Sequence, residues 1–311
     1  MAATLSKEIE EIEAGSATTT NVMARMPLDE QRSANLANWE DRVPIHIGPD
    51  GYELDAFDDP THISRVVRFD VPRLGDLADL DVVHLQCHIG TDTISLDRLD
   101  AQSVVGYDFS PAAVGAARIL ATRAVSSARF VLGELYDAVD VLGAERFDLV
   151  FTGIGARCWL PDIVGWAHVV AGLLRPGGRL HLREGHPMLY SIDELRTDDL
   201  EVVASPTFGT GGGTRFEEPN TYEGDGTQLA HTVTYQWNWS IGEVVTALLD
   251  SGLQIDVLTE HTTVPWNALD GLMHEVPPLG EWELIDHPER LACSYTLQAS
   301  KPRTRQATEP R

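Results

Sequence analysis

The sequence predicts an open, doubly wound α/β sheet, and two observations indicate this fold class. From Asp81 to Glu184, short apolar runs alternate with longer helical patterns. The runs are rich in valine and leucine and lack polar alternation, as expected for parallel strands that are covered on both faces. Strand–helix alternation at this spacing implies right-handed crossovers and therefore a doubly wound sheet.

The elements of this region can be placed in order along the chain. Pro176-Gly177-Gly178 is a turn signal immediately before a strand. Upstream, Pro27 stands where a helix favours proline, in its first turn, and predicts a helix over 27–43. The predicted strands of the alternating region are 81–86, 103–108, 129–132, 147–153 and 179–184, and its predicted helices are 90–99, 111–123 and 163–174.

The alternating pattern is interrupted after His186-Pro187 for about fifty residues. A structureless loop of that length is improbable in a compact domain, so we expect an inserted lid or subdomain. The pattern then returns with a predicted helix over 241–251 and strands over 253–259 and 291–299. The expected organisation is an N-terminal extension and cover over 1–75, a cofactor-binding core over 76–186, an inserted lid over 187–240, completion of the core sheet over 241–300, and a loose tail over 301–311.

Length and charge exclude several classes of function. The chain has 311 residues, about two domains at ~150 residues each, and its formal charge is −25. A protein this acidic is a poor candidate for nucleic acid, whose phosphates require a basic face, or for an anionic membrane surface. The apolar fraction of 43% is ordinary for a globular protein, so wholesale disorder is excluded.

The cysteines and the N-terminal sequence indicate a reducing compartment. Cys87, Cys158 and Cys293 lie far apart and form neither a CxxC pair nor a disulfide framework. The first residues lack the basic and apolar regions of a signal peptide, and no stretch approaches a membrane-spanning length. We therefore expect a cytoplasmic protein. No histidine or cysteine spacing typical of a metal site is present, so no metal is expected.

Candidate ligand-binding residues follow the predicted strands. In an open α/β sheet, ligands bind outside the carboxyl ends of the strands, where the strand order reverses. Asp108 ends the second strand, eighteen residues after Gly90, where an acidic side chain can accept hydrogen bonds from a ribose diol. Glu134 and Leu135 follow the third strand and could flank a purine.

The loop after the first strand argues against a dinucleotide. A pyrophosphate needs G-x-G-x-x-G, but Gln86 and His88 stand where glycines would be, and only Gly90 is present. The ligand is better interpreted as a nucleoside without phosphates. A nicotinamide-dependent oxidoreductase is the less favoured enzyme class.

The order and spacing of several segments resemble one family. The chain from Asp81 to Glu184 is similar to the core of class I S-adenosylmethionine-dependent methyltransferases, and with its flanks the resemblance covers roughly residues 36–299. It implies a Rossmann-like seven-stranded sheet whose last strand is antiparallel, methyl transfer from S-adenosylmethionine, and S-adenosylhomocysteine as product. The segments that carry the resemblance are Val82–Gly90, Val105–Pro111, Phe147–Thr152 and Leu173–Leu180, with Asn38–His46, Thr234–Asn238 and Gly242–Leu248 in the flanks.

The resemblance assigns roles position by position, although the first loop keeps only the last of the family's three glycines. Asp108 would hold the ribose hydroxyls, with Phe109 against the adenine and Glu134 and Leu135 at the adenine's polar edge. Thr152 would lie under the sulfonium. The methionine part would be lined by Gln86, Cys87, His88 and Gly90.

Methyl transfer is an in-line displacement at an activated carbon, so alignment and exclusion of water supply most of the acceleration. A general base is needed only if the acceptor retains its proton near neutral pH, and His186, just after the fifth strand, is the candidate. His46 and His231 are further candidates on the acceptor side. Trp237 could form the floor of an aromatic acceptor site or simply pack the insert onto the core.

The predicted function is methyl transfer to a small-molecule acceptor. Arginine used in place of lysine suggests a high-GC genome, in which such enzymes often modify secondary metabolites. A non-catalytic cofactor-binding protein of the same fold is the alternative from another class. The sequence leaves the acceptor atom and the oligomeric state open.

Overall fold

The computed structural model of the chain describes residues 28–192 and 212–303. Helix ends carry side-chain caps: Ser110 accepts a hydrogen bond from the Ala113 N–H at 3.0 Å, and Ser240 and Glu243 form a reciprocal capping box. The helices in the described ranges are α1 Leu28–His46, α2 Arg65–Leu74, α3 Thr91–Asp97, α4 Pro111–Arg123, α5 Ala138–Leu142, α6 Ile163–Leu173 and α7 Ile241–Asp250.

A seven-stranded sheet in the order β3-β2-β1-β4-β5-β11-β8 forms the centre of the fold. Neighbours from β3 to β5 pair in parallel, whereas β11, the last strand, is antiparallel to both β5 and β8. This is the Rossmann-like topology that the resemblance implies, and the prediction is confirmed. The strands are β1 Asp81–Leu85, β2 Ser103–Asp108, β3 Arg129–Leu132, β4 Phe147–Thr152, β5 Leu174–Gly185, β6 Thr214–Glu217, β7 Val233–Gln236, β8 Gln254–His261, β9 Met273–Val276, β10 Glu281–Leu284 and β11 Ser294–Ser300.

The core lies on both faces of the sheet. Val82 packs into a cluster with residues of α2, α3 and α4, and its neighbour Val83 packs into a second cluster with residues of α5, α6 and α7. Successive side chains of a strand point to opposite faces, so uninterrupted apolar strands are what a sheet covered on both sides requires. Both valines are fully buried.

The insert and the N-terminal helix pack on each other beside the core. β6 and β7 pair as a two-stranded antiparallel sheet. The Asn35 amide of α1 completes the edge of β7, since it donates to the Tyr235 carbonyl and accepts from the Tyr235 N–H, both at 2.7 Å. The segment 193–211 of the predicted lid lies outside the described residues.

Several predicted bounds differ from the structure. The predicted first residue of α1, Pro27, lies outside the described residues, and α1 continues past residue 43 through Pro44 to His46. The predicted turn at Pro176-Gly177-Gly178 is wrong, because these residues belong to β5, and a register shift against β4 between Phe147 and Leu149 accommodates them.

The hairpin formed by β9 and β10 was not predicted. Its strands are short and carry charged side chains, so they lack the apolar run that identifies the central strands. Across the two described ranges, no helix combines the length and apolarity that crossing a membrane requires.

Candidate active site

A cavity of about 950 Å³ lies at the carboxyl ends of the parallel strands. The strand order reverses between β1 and β4, which is where open α/β sheets bind ligands. The loops after β1, β2, β3 and β4 contribute to its lining, as do α1 and the segment that follows β6. Its volume is at the upper end of the ~300–1,000 Å³ typical of small-molecule sites.

The loop after β1 keeps the backbone of a glycine-rich turn without two of the glycines. Gln86 has φ of 57° and His88 has φ of 48°, both in the left-handed region, and Gly90 has φ of 82°. A non-glycine residue is uncommon there and persists only when its surroundings impose the conformation. Positions 86, 88 and 90, where the resembling family has glycine, therefore all adopt a conformation that favours glycine.

Asp108 lies next to this loop and is held by backbone donors. Its Oδ2 atom accepts from the His88 N–H at 2.8 Å, and its Oδ1 atom accepts from the Ser110 N–H at 2.9 Å. Burial raises the pKa of Asp108 to about 6, although these N–H groups oppose the shift. The side chain lines the cavity, and so does its neighbour Phe109.

Two predicted residues form the wall beyond β3. Glu134 and the buried Leu135 line the cavity. The Glu134 carboxylate is paired with Arg32 of α1, and its carbonyl accepts from the Tyr107 hydroxyl at 2.9 Å. The N-terminal helix is thus joined by an ion pair to the wall where an adenine edge was expected.

The loop after β4 forms the floor of the cavity through Gly153–Ala156. Glu184, at the end of β5, holds this loop, because its carboxylate accepts from the N–H groups of Gly155 at 2.8 Å and Arg157 at 2.7 Å. Thr152 is fully buried beneath the loop and does not line the cavity.

Gln86 and Cys87 contribute different surfaces to the lining. The Gln86 amide nitrogen donates to the Ala156 carbonyl at 2.8 Å, and its Oε1 atom is buried without a hydrogen-bond partner among the described residues. Burial raises the pKa of the Cys87 thiol well above its usual value, with Asp108 adding to the shift. Cys87 is therefore a buried thiol that fills space.

His88 lines the cavity, and His46 stands behind it. The His46 Nδ1 atom lies 2.8 Å from the His88 Nε2 atom, and the His46 Nε2 atom lies 2.8 Å from the Thr221 Oγ1 atom. Burial lowers the pKa of His46 to about 3 and also the pKa of His88 well below its usual range. Both rings are therefore neutral at physiological pH.

The structure does not bring His186 to the cavity. Its Nε2 atom lies 2.9 Å from the Glu260 Oε1 atom of the sheet edge, and its Nδ1 atom accepts from the Met188 N–H at 3.2 Å. Both ring nitrogens are therefore engaged away from the lining, because the chain turns at Pro187 and carries the ring toward β8. His186 is not positioned as a general base.

His231 and Trp237 also lie apart from the cavity lining. His231 is on the surface, with its ring 2.9 Å from the Asp41 carboxylate. Trp237 is buried and packs the insert onto the core, where its backbone N–H donates to the Cys158 carbonyl at 2.7 Å. The aromatic surface that Trp237 was predicted to supply comes instead from Tyr190 and Trp266, which line the cavity.

Arg42 is a cavity residue that the sequence did not predict. It is 3% exposed, its Nε atom donates to the Asn38 Oδ1 atom at 2.7 Å, and its guanidinium lies 5.0 Å from the ring of Trp39 and 5.6 Å from that of Trp159. No ion pair to Arg42 is formed within the described ranges. Arg42 is therefore a buried cation that lines the cavity. Its signal in the sequence is weak, namely an arginine within the Asn38–His46 segment.

The far end of the cavity is aromatic. Tyr190, after β5, and Trp266, after β8, have nearly parallel rings at an interplanar angle of 20° and a centroid separation of 6.4 Å. Ile154 and Ile192 line the cavity beside them. These residues come from segments without a recognisable motif, so no signal in the sequence identified them.

Asp92 is a second carboxyl group in the lining. It lies in the first turn of α3 and close to the floor loop. A Cβ atom added at Gly153 would fall 3.5 Å from the Asp92 Oδ2 atom. Desolvation raises the pKa of Asp92 to about 6, with Asp70 adding to the shift. The cavity therefore holds a carboxyl group that titrates near neutrality beside the floor loop.

Comparison with known proteins agrees with this geometry. Residues 83–180 match a family model described as a methyltransferase domain. The fold is similar to that of an S-adenosylmethionine-dependent methyltransferase from Mesorhizobium loti, at 19% identity and a TM-score of 0.51, covering 76% of this chain and 98% of that one. It is also similar to a proposed methyltransferase solved with the Trm112 methyltransferase activator of Haloferax volcanii, at 15% identity and a TM-score of 0.51, covering 86% and 98%. No curated protein matches the chain in sequence.

Residues 83–180 form a methyltransferase domain, and the sheet order with its antiparallel last strand is consistent with the class I S-adenosylmethionine-dependent methyltransferase fold. This domain supports a methyltransferase activity with S-adenosylmethionine as the cofactor.

The residues at the cavity fit this cofactor. An ionised carboxylate offers about four acceptor positions, so Asp108 keeps acceptor capacity for a ribose hydroxyl beyond its backbone N–H donors. The buried Oε1 atom of Gln86 has no partner among the described residues and could accept from an ammonium group. Both features are those of a site built for a polar nucleoside.

Proposed function

We propose that the protein transfers the methyl group of S-adenosylmethionine to a small, flat acceptor bound at the aromatic end of the cavity. The observation that carries this proposal is the continuity of one cavity of about 950 Å³ from Asp108 past the floor loop 153–156 to Tyr190 and Trp266. One compartment can thus accommodate cofactor and acceptor together. A methyl donor and its acceptor must share such a space for in-line displacement.

The cofactor end is assigned from the contacts of the lining. Asp108 binds the ribose, and Phe109 and Leu135 face the adenine, with Glu134 at its edge. Gln86, Cys87 and His88 line the methionine part, and Gly90 shapes the turn without reaching the lining. Arg42 binds the methionine carboxylate, because a buried guanidinium among aromatic rings attracts an anion strongly.

The acceptor end favours a planar molecule without negative charge. Tyr190 and Trp266 both line the cavity, and aromatic side chains of this kind favour flat ligands. Acidic side chains outnumber arginines in the described lining, which disfavours an anionic acceptor. The net charge of −25 also disfavours RNA or DNA as the acceptor. Secondary metabolites are one source of small flat acceptors.

The side chains contribute orientation, exclusion of water and proton acceptance. S-adenosylmethionine supplies a methyl group that is already activated for displacement. Glu184 fixes the floor loop through Gly155 and Arg157 and so keeps the two ends of the cavity aligned. Asp92 takes the role predicted for His186, because it lines the cavity and its pKa of about 6 suits a general base at neutral pH. A reducing cytoplasm remains the proposed compartment, consistent with three buried free cysteines.

An assay of methyl transfer tests the proposal: S-adenosylmethionine is the donor, and the S-adenosylhomocysteine that forms is measured. We would assay planar phenols and aromatic amines, aliphatic alcohols, and tRNA as acceptors. The expected result is turnover with planar acceptors and a loss of about tenfold or more in kcat/KM for the acceptor in Trp266→Leu. Trp282→Leu is the matched control, because Trp282 does not line the cavity.

Three outcomes would contradict the proposed acceptor class. Turnover of tRNA alone would exclude a small molecule. Equal loss in Trp266→Leu and Trp282→Leu would indicate a packing defect. Tight binding of S-adenosylhomocysteine without turnover of any acceptor would favour the non-catalytic alternative. Titration with NADH separately tests the oxidoreductase alternative, which the absence of a pyrophosphate loop disfavours.

A further inference from the structure

A chain of three hydrogen-bonding side chains connects three separate segments of the protein. Thr221 comes from the insert between β6 and β7, His46 ends α1, and His88 belongs to the loop after β1. Each link measures 2.8 Å between heavy atoms. His46 is fully buried and does not line the cavity, whereas His88 does. Whatever His46 contributes to ligand binding, it must therefore contribute through its neighbour.

The chemistry of neutral imidazole sets the direction of donation in the hydrogen bonds that link Thr221, His46 and His88. A neutral ring has one donor and one acceptor nitrogen. Because His46 uses both nitrogens, one contact is a donation and the other an acceptance. The tautomer of His88 is then set by the proton on His46. Arg42, also in α1, and the hydroxyls of Tyr52 and Tyr222 are the other ionisable groups around the pair.

The position of His88 makes this constraint matter for the cofactor. Its backbone holds a left-handed conformation, and its N–H donates to Asp108 at 2.8 Å. The Trp39 and Tyr52 rings surround its imidazole at 4.9 and 5.9 Å between centroids. A ring that is fixed on its outer side by His46 therefore fixes both a wall of the cavity and the donor that orients Asp108.

We propose that His46 is a positioning residue that fixes the imidazole of His88 and thereby the cofactor loop, so that docking of α1 supports cofactor affinity. This inference rests on the proposed placement of the methionine part against His88. It makes the bond to His88 the functional contact of His46, and the bond to Thr221 a secondary one.

Two conservative variants separate these contacts. In His46→Asn the amide nitrogen falls near the position of Nδ1 and can keep the bond to His88. In His46→Gln the amide falls near the position of Nε2 and can keep the bond to Thr221 instead. The affinity for S-adenosylhomocysteine would be measured by calorimetry, together with the Tm of each variant and the ¹⁵N shifts of His88 that report its tautomer. His168→Asn, on the surface of α6, is the control.

We expect His46→Asn to bind within about threefold of the natural protein and His46→Gln to bind about tenfold more weakly, the effect of one lost buried hydrogen bond. The ¹⁵N shifts of His88 should change only in His46→Gln. Equal affinities in the two variants, or tighter binding by His46→Gln, would overturn the proposal. Absence of binding by the natural protein would instead contradict the proposed function, so the two failures are distinguishable.

Discussion

The backbone N–H of His88 donates to the Oδ2 atom of Asp108 at 2.8 Å, so the loop after β1 orients the carboxylate after β2. This contact depends on a left-handed φ at His88, where the resembling family has glycine. The loop departs from the family in its side chains, while positions 86 and 88 hold the left-handed conformation that favours glycine. The departure in sequence is therefore compatible with the same nucleoside site.

The affinity for S-adenosylhomocysteine should depend on pH through Asp108. Burial raises the pKa of this group to about 6, and only the ionised carboxylate can accept from both ribose hydroxyls. Binding favours the ionised form, so affinity should rise with pH up to about 6 and be constant above it, with a slope of at most about tenfold per pH unit. Calorimetric titrations from pH 5 to 8 measure this dependence.

A second carboxyl group must be separated from this effect, because the pKa of Asp92 is also raised to about 6. The pH dependence of binding should persist in Asp92→Asn and disappear in Asp108→Asn. If it disappears only in Asp92→Asn, the ribose assignment is wrong. Asp92 is proposed to accept a proton from the acceptor, so the pH dependence of turnover should disappear in Asp92→Asn and persist in Asp108→Asn.

Glycine is required at one position of the loop for two reasons. Gly90 has φ of 82°, and an added Cβ would fall 2.6 Å from the buried Phe130 ring. We expect Gly90→Ala to lower the free energy of unfolding by about 2 kcal/mol or more, through strain and overpacking. Urea denaturation measures this loss.

Gly115 in α4 is the matched control for that substitution, since its Cβ would meet open space. Gly115→Ala should raise the free energy of unfolding by about 0.5–1 kcal/mol, because alanine is the better helix former. A Gly90→Ala protein as stable as the natural one would show that the turn is less constrained than its geometry indicates.

Arg42 should affect only ligands that carry the methionine part. Arg42→Met keeps the length of the side chain and removes the charge, so S-adenosylhomocysteine should bind about tenfold or more weakly. 5′-Methylthioadenosine lacks the carboxylate and should bind equally to both proteins. Competition binding with these two ligands makes the comparison. Equal losses for both would place Arg42 in folding rather than in carboxylate recognition.

The parallel part of the central sheet could be predicted from the sequence because strands such as β1 and β2 contain short runs of buried apolar residues. β2, β3 and α4 have the predicted bounds. The β9–β10 hairpin escaped prediction because its strands are short and charged, and its pairing is a tertiary fact. The turn at Pro176-Gly177-Gly178 was misassigned because a bulge in β5 has the same local signature as a turn.

The cofactor end of the cavity could be proposed from sequence because its residues follow strands in a regular order. Asp108 and Glu134 both line the cavity as that order implies. The acceptor end could not, because Tyr190 and Trp266 meet only through the packing of separate loops. His186 was favoured by its place after β5, yet the direction of its ring depends on Glu260, a contact between distant positions.

Calorimetric titration of the full chain with S-adenosylhomocysteine, alongside Asp108→Ala, tests most directly whether the cavity is a cofactor site with Asp108 at the ribose. Asp140→Ala, on the surface of α5, is the control. We expect one bound ligand per chain, the same affinity in Asp140→Ala, and a loss of about tenfold to a hundredfold in Asp108→Ala, because hydrogen bonds to a charged group contribute ~1.5–3 kcal/mol. No binding by the natural protein, or undiminished binding by Asp108→Ala, would contradict this assignment.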